Sequence, residues 1–135
     1  MTLPKTLPNA EPKPPESTLR VLVIEDSAPV AESLQIALES HGFACRLALS
    51  GTDGLREAEA FPADVILIDI GLPDLDGASV ARALRSREVL PTPLLVALSG
   101  RPQDECCPDN LFDHYFTKPV RLTSLLELLR TTRLQ

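Results

Sequence analysis

Val65-Ile66-Leu67-Ile68-Asp69-Ile70-Gly71-Leu72-Pro73-Asp74-Leu75-Asp76-Gly77 contains the most apolar run in the chain, and that run ends on a carboxylate. Four consecutive aliphatic residues, mostly β-branched, read as a central strand with no solvent-facing side. Asp69 stands at the C-terminal end of that strand. Asp76-Gly77 opens a helix that carries Val80, Ala83 and Leu84. A strand covered on both faces needs helices above and below it, so the flanking sequence should alternate in period.

It does. Leu19 to Ile24 is a second apolar run, and Ser27 caps a helix that begins at Ala28-Pro29, carries Val30, Leu34, Ala37 and Leu38 inward, and ends near His41-Gly42. Phe43, Cys45, Leu47 and Leu49 alternate as a strand, and Ser50 caps a short helix with Leu55 and Ala58 inward, stopped at Phe61-Pro62. Beyond the central strand, Leu94 to Leu98 reads as a buried strand and His114 to Thr117 as a shorter one. Leu122, Leu125, Leu126 and Leu129 then give the spacing of a final amphipathic helix. Strand and helix alternating about five times predict an α/β fold, a doubly wound five-stranded parallel sheet.

The chain has 135 residues, the size of one ordinary domain. Residues 1–18 hold five of the 13 prolines and almost nothing to bury, so they are expected to form a disordered Pro-rich N-terminal tail, with the domain spanning 19–135. The formal net charge of −6 lacks the basic footprint of a nucleic-acid binder or of a protein drawn to anionic membranes. No apolar run is long enough for a membrane span, and no h-region of a secretory signal opens the chain. Cys45, Cys106 and Cys107 cannot make a disulfide framework and read as reduced thiols, which favours a cytoplasmic setting. His41 and His114 have no nucleophile partner in sequence, which argues against a Ser-His-Asp hydrolase.

Ligand chemistry in parallel sheets gathers at the carboxyl ends of the strands, where the strand order reverses. The first strand runs into Glu25-Asp26, the third into Asp69, the fourth into Ser99-Gly100 and the fifth into Lys118-Pro119. Converging carboxylates need a counter-charge, and a hard divalent cation such as Mg²⁺ together with a lysine supplies it. A serine hydroxyl adds a donor. Taken singly, each acid is an ordinary cap or turn former; the joint pattern at four strand ends is that of a site for an anionic phosphoryl group on a carboxylate.

At these residues the sequence resembles the receiver domain of two-component response regulators. Val21-Leu22-Val23-Ile24-Glu25-Asp26 is similar to that family's opening, and Asp69 to Gly77 to its phosphoacceptor strand and loop. Leu98-Ser99-Gly100 is similar to its switch hydroxyl, and Tyr115-Phe116-Thr117-Lys118-Pro119 to its aromatic switch and lysine. The resemblance covers residues 19–131, and several segments are closest to receivers attached to hybrid histidine kinases. It implies a flavodoxin-like (βα)5 fold in which Asp69 takes a phosphoryl group from a histidine kinase or histidine phosphotransfer protein. It implies Mg²⁺ held by Glu25, Asp26, Asp69 and the Gly71 backbone carbonyl. Lys118 would pair with the phosphoryl group, its bond to Pro119 a candidate cis peptide, while Ser99 and Tyr115 would form the switch. No enzymatic activity is implied beyond self-phosphorylation and autodephosphorylation at Asp69.

One departure bears on output. The segment between Ser99 and Lys118 is shorter than the family's and contains Pro102 and Pro108, so the helix expected there is short, irregular or missing. Too few residues follow Leu122–Arg130 for a DNA-binding or catalytic output domain, so signalling is expected to run through protein contacts with a separate partner. The alternative is a receiver-like interaction module that binds regardless of phosphorylation. A metal-dependent phosphatase or nucleotide binder fits less well: position 71 is Gly where aspartate-nucleophile phosphatases carry a second Asp, and Glu25-Asp26 would repel a phosphate unless a metal intervened.

Overall fold

A computed structural model describes residues 18–87, 92–100 and 111–133. The elements in chain order are β1 (Arg20–Ile24), α1 (Ala28–Ser40), β2 (Ala44–Ala48), α2 (Gly51–Ala60), β3 (Val65–Asp69), α3 (Gly77–Arg85), β4 (Leu94–Ser99), β5 (His114–Thr117) and α4 (Leu122–Arg133). All strand pairs are parallel, in the order β2-β1-β3-β4-β5. The doubly wound five-stranded sheet expected from the sequence is the observed fold. The expected tail, the helix between the fourth and fifth strands, and Cys106 and Cys107 lie outside the described residues.

The apolar strands explain the layering. Side chains alternate across a strand, so Leu22, Ile24, Ile66, Ile68, Leu95 and Ala97 feed one core, and Val21, Val23, Val65, Leu67, Val96 and Leu98 the other. Helices α2 and α3 cover the first core with Leu55, Val80, Ala81 and Leu84. The second is closed by Leu34 and Leu38 of α1 and Leu125, Leu126 and Leu129 of α4. At the N-terminal edge Asp64 ties three strands together. Its carboxylate accepts from Arg20 N at 2.8 Å, its N–H donates to Arg20 O at 2.8 Å, and its carbonyl accepts from Leu94 N at 2.9 Å.

Local signals set the helix ends. Ser50 Oγ accepts from Asp53 N at 3.0 Å to cap α2, and Asp76 Oδ1 accepts from Ser79 N at 2.7 Å to cap α3. Helix α1 stops at His41-Gly42, where Gly42 takes φ +92°. His41 Nδ1 lies 2.9 Å from the Ala37 carbonyl in the last turn.

Three details of the apolar patterning change. Val30 is 42 % exposed, and the buried stripe of α1 runs instead through Ala31, Leu34 and Leu38; the spacing is helical, but its phase puts Val30 on the flank. Leu49 is 45 % exposed because the edge strand β2 ends at Ala48. On α3 Ala81 is fully buried, and Ala83, which was expected inward, is half-buried.

Candidate functional site

The chain leaves β1 for β2 on one side and returns past β1 to β3 on the other, so the order reverses between β1 and β3. Strands diverging to opposite sides leave a crevice at their carboxyl ends. Glu25 and Asp26 follow β1, and Asp69 ends β3, on this rim. Glu25 is held there by one further rung of pairing, its N–H donating to the Ala48 carbonyl at 3.0 Å. Glu25 is buried, 1 % exposed, and so is Asp69 at 6 %, while Asp26 is exposed.

One oxygen each from Glu25, Asp26 and Asp69 lies within 4.8 Å of the others. The Lys118 ammonium sits on two of these acids, its Nζ 2.7 Å from Glu25 Oε2 and 3.2 Å from Asp69 Oδ2. Burial pulls the Lys118 pKa down, but the Glu25 contact and the charges of both acids outweigh it and leave the value raised. Lys118 is therefore a fixed cation across the physiological range. Three carboxylates against one ammonium still leave the cluster negative. Glu25 Oε2 faces the Lys118 ammonium, and Glu25 Oε1 accepts from Ser27 N at 3.2 Å. A dense set of oxygen donors with spare lone pairs suits a small hard cation.

The backbone fixes the remaining members. Gly71 N donates to Asp69 Oδ1 at 3.0 Å, so the two Asp69 oxygens are gripped separately, one by this N–H and one by Lys118. Ser99 pairs with Thr117, and its carbonyl accepts from Lys118 N at 2.7 Å, which fastens the ends of β4 and β5 side by side. The Lys118–Pro119 bond is cis. Tyr115 is 37 % exposed, and its ring meets Phe112 edge to face at 5.5 Å between centroids. An apolar groove of about 560 Å³ opens beside the cluster, with Glu25 and Lys118 at its polar end and Pro29, Val30, Leu34 and Val120 along its walls. A second cavity of about 190 Å³ lies away from the acids, against Arg20, Phe61, Leu84 and Arg87.

Two residues matter more here than the sequence revealed. A Cβ on Gly77 would stand 2.6 Å from the Asp69 carbonyl oxygen and 2.8 Å from Ile70 Cα, so only glycine lets α3 start this close to the strand that carries Asp69. Its N–H donates to the Ile70 carbonyl at 3.0 Å and closes the base of the 70–76 loop. An Asp-Gly pair signals a helix start, but not what the helix start rests on. Asp74, at the outer corner of the same loop, accepts from Gly51 N and Thr52 N at 2.9 Å each and from Thr52 Oγ1 at 2.8 Å. These partners are 22 and 23 residues away, and no local pattern announces them.

Comparison with known proteins agrees with this geometry. Residues 21–130 match the family model of the response regulator receiver domain. The chain is 34 % identical over 110 residues to the transcriptional regulatory protein KdpE of Mycobacterium tuberculosis, covering 82 % of this chain and 49 % of that protein. It is 36 % identical over 111 residues to the cell cycle response regulator CtrA of Brucella ovis, covering 80 % and 47 %. It thus spans about half the length of the curated relatives it matches. Among solved structures, a CheY-like receiver domain from Methylobacillus flagellatus superposes with a TM-score of 0.77 at 33 % identity, covering 85 % of this chain and 98 % of that one. The response regulator TrrA of Thermotoga maritima, solved with Mg²⁺ and BeF, shares the fold with a TM-score of 0.75 at 22 % identity, covering 85 % and 99 %. Among the described residues no helix is long and apolar enough to cross a membrane. By its family match, by its relatives and by the acid cluster at the switch point of its sheet, the chain belongs to the response regulator receiver domain family.

Proposed function

We propose that this chain is a working phosphoacceptor: Asp69 receives a phosphoryl group from a phosphohistidine on a histidine kinase or phosphotransfer protein, and the change is read by a protein partner. The observation that carries this reading is the Lys118 ammonium shared between Glu25 Oε2 at 2.7 Å and Asp69 Oδ2 at 3.2 Å inside a cluster of three carboxylates. An Asp69 oxygen attacks phosphorus, the new O–P bond forms as the P–N bond breaks, and the departing imidazole nitrogen keeps the electron pair and takes up a proton. In autodephosphorylation, water attacks phosphorus, the Asp69 O–P bond breaks and inorganic phosphate leaves.

The residues divide this work. Gly71 N–H and Lys118 hold the Asp69 carboxylate in one orientation before a donor arrives. Lys118 then pairs with a phosphoryl oxygen, and the Ser99 hydroxyl donates to another. Mg²⁺ fits the oxygen donors of Glu25, Asp26, Asp69 and the Gly71 carbonyl, and when bound it neutralises charge on the transferring group. The apolar groove along Pro29, Val30 and Val120 offers a donor protein a seat next to Lys118. Phosphorylation replaces the single charge of the Asp69 carboxylate by a phosphoryl group carrying about −1.5 to −2, set further out on three oxygens. Ser99 is drawn toward that charge, and Tyr115 turns from its edge contact with Phe112 into the space vacated. The setting that fits this role is the cytoplasm.

An amide NMR titration with Mg²⁺ and then beryllofluoride tests the reading. Wild type should shift at Asp26, Asp69, Ser99 and Lys118, and Asp69→Ala should ignore beryllofluoride. If Mg²⁺ binds and beryllofluoride moves nothing in wild type, the phosphoacceptor role is wrong, and the phosphorylation-independent interaction module takes its place.

A further inference from the structure

We propose that Asp74 is a positioning residue for the phosphoacceptor site, latching the 70–76 loop to the first turn of α2 and so setting how tightly the site holds a phosphoryl group. This rests on the phosphoacceptor reading of Asp69. The first N–H groups of a helix have no partner within it, and in α2 they are divided between two sources. Ser50 Oγ takes Asp53 N at 3.0 Å from within the local chain, while the Gly51 and Thr52 N–H groups both go to Asp74, at 2.9 Å each. The Thr52 hydroxyl adds a third bond, at 2.8 Å. One carboxylate of the phosphoacceptor loop thus completes the cap of a different helix.

Steric fit points the same way independently. A Cβ on Gly51 would come within 2.9 Å of Leu75 Cβ, 3.0 Å of Val80 Cγ2 and 3.3 Å of Asp74 Oδ1. The start of α2 is thus a glycine pressed against the loop and the helix that follows it. The other end of the loop is anchored at the reacting group, through Gly71 N to Asp69 Oδ1 and Gly77 N to Ile70 O, both at 3.0 Å. Gly71 carries one of these anchors and lies three residues before the Asp74 latch in the same loop, so releasing the latch loosens the segment that orients Asp69 without touching any carboxylate of the metal cluster. The partners also hold the Asp74 carboxyl well below the usual carboxylate range, first through the Thr52 N–H, then the Gly51 N–H and the Thr52 hydroxyl. The latch is therefore ionised and closed at neutral pH.

The test compares wild type, Asp74→Ala, Thr52→Val and the double variant by Mg²⁺-dependent beryllofluoride titration and by amide hydrogen exchange. Asp74→Ala should weaken beryllofluoride binding about five- to tenfold, and Thr52→Val, which keeps both N–H bonds, about two- to threefold. The double variant should be no weaker than Asp74→Ala, because Thr52 acts through Asp74. Exchange at the Gly51, Thr52 and Gly71 amides should quicken together in Asp74→Ala. A purely structural cap would speed Gly51 and Thr52 alone and leave beryllofluoride affinity at the wild-type value, and that result overturns the proposal. Loss of binding in wild type itself would instead overturn the phosphoacceptor reading, so the two failures are distinguishable. Circular dichroism melts confirm that each variant is folded, and Thr52→Val, conservative in shape, keeps the comparison usable should Asp74→Ala unfold.

Discussion

Gly77→Ala adds one methyl group at the point where α3 meets the end of β3, and the structure fixes what that methyl strikes. The new carbon would stand 2.6 Å from the Asp69 carbonyl oxygen, 2.8 Å from Ile70 Cα and 3.2 Å from the Asp69 carbonyl carbon. All three are backbone atoms, so no flexible side chain can swing aside. Reaching an ordinary contact of 3.4 Å from the oxygen requires an opening of about 0.8 Å. The Gly77 N–H bond to Ile70 O at 3.0 Å resists that opening, because it closes the base of the loop. Replacing glycine by alanine inside a helix gains up to about 1 kcal/mol, less at a first turn, while forcing an extra carbon into a packed contact costs about 1–3 kcal/mol. The net expectation is a loss of about 1–2 kcal/mol, read as a lower urea midpoint at unchanged m-value. The functional effect should be larger, since the displaced atoms belong to Asp69 itself. A misplacement near 1 Å costs about a hundredfold in well-aligned chemistry, so beryllofluoride affinity should fall about ten- to a hundredfold. If Gly77→Ala keeps the wild-type urea midpoint and the wild-type affinity, the close approach does not set the position of Asp69, and the reasoning fails.

Lys118→Met should leave Glu25, 1 % exposed, beside Asp69 without a counter-charge. Breaking a buried pair costs about 3–5 kcal/mol, reduced to about 1–3 here by the lysine's own exposure, and Glu25→Gln in the same background should recover most of the loss in urea melts. The Asp76 cap should show itself through pH. Its carboxyl is held below the ordinary value, first by the Ser79 N–H and then by the Ser79 hydroxyl, so its contribution is complete above the ordinary carboxylate pKa and is lost as pH falls through the lowered one. The gap in urea midpoint between wild type and Asp76→Ala should therefore be constant near neutrality and close on acidification; a gap that widens in acid would contradict the cap. Cys45, whose thiol is pushed up to about 12 by burial and then by the nearby Glu39 charge, should resist iodoacetamide at pH 8 in the folded chain and react once urea is added, as peptide mass spectrometry would show.

The sheet was legible because its strands announce themselves. Val21 to Ile24, Val65 to Ile68 and Leu95 to Leu98 are apolar on both faces, a pattern that only helices on either side can satisfy. The acids and the lysine were legible for a related reason: Glu25 and Asp69 are the first polar residues after their apolar runs and Lys118 directly follows β5, so the sheet alone carries all three to a common rim. Phase was harder than period. Val30 and Ala31 are neighbours in an amphipathic helix, and only the placement of α1 on the sheet decides that Ala31 is buried and Val30 faces out. Long-range capping left no trace at all, since nothing around Asp74 reveals that the N–H groups it binds belong to Gly51 and Thr52. The expectation of a short, irregular or missing helix between β4 and β5 concerns residues 101–110, which lie outside the described residues.

The shared ammonium also bears on how the sheet is assembled. Glu25 and Asp69 are brought together by the pairing of β1 with β3, while Lys118 arrives only with β5, at the far edge. A partly folded chain with β5 detached would hold three carboxylates within 4.8 Å and no lysine among them. Mutual repulsion penalises that intermediate, so docking the last strand relieves a charge conflict created by the first ones. The cluster thereby links the edge of the sheet to its centre, and the same acids that crowd the rim make the unfinished fold unfavourable.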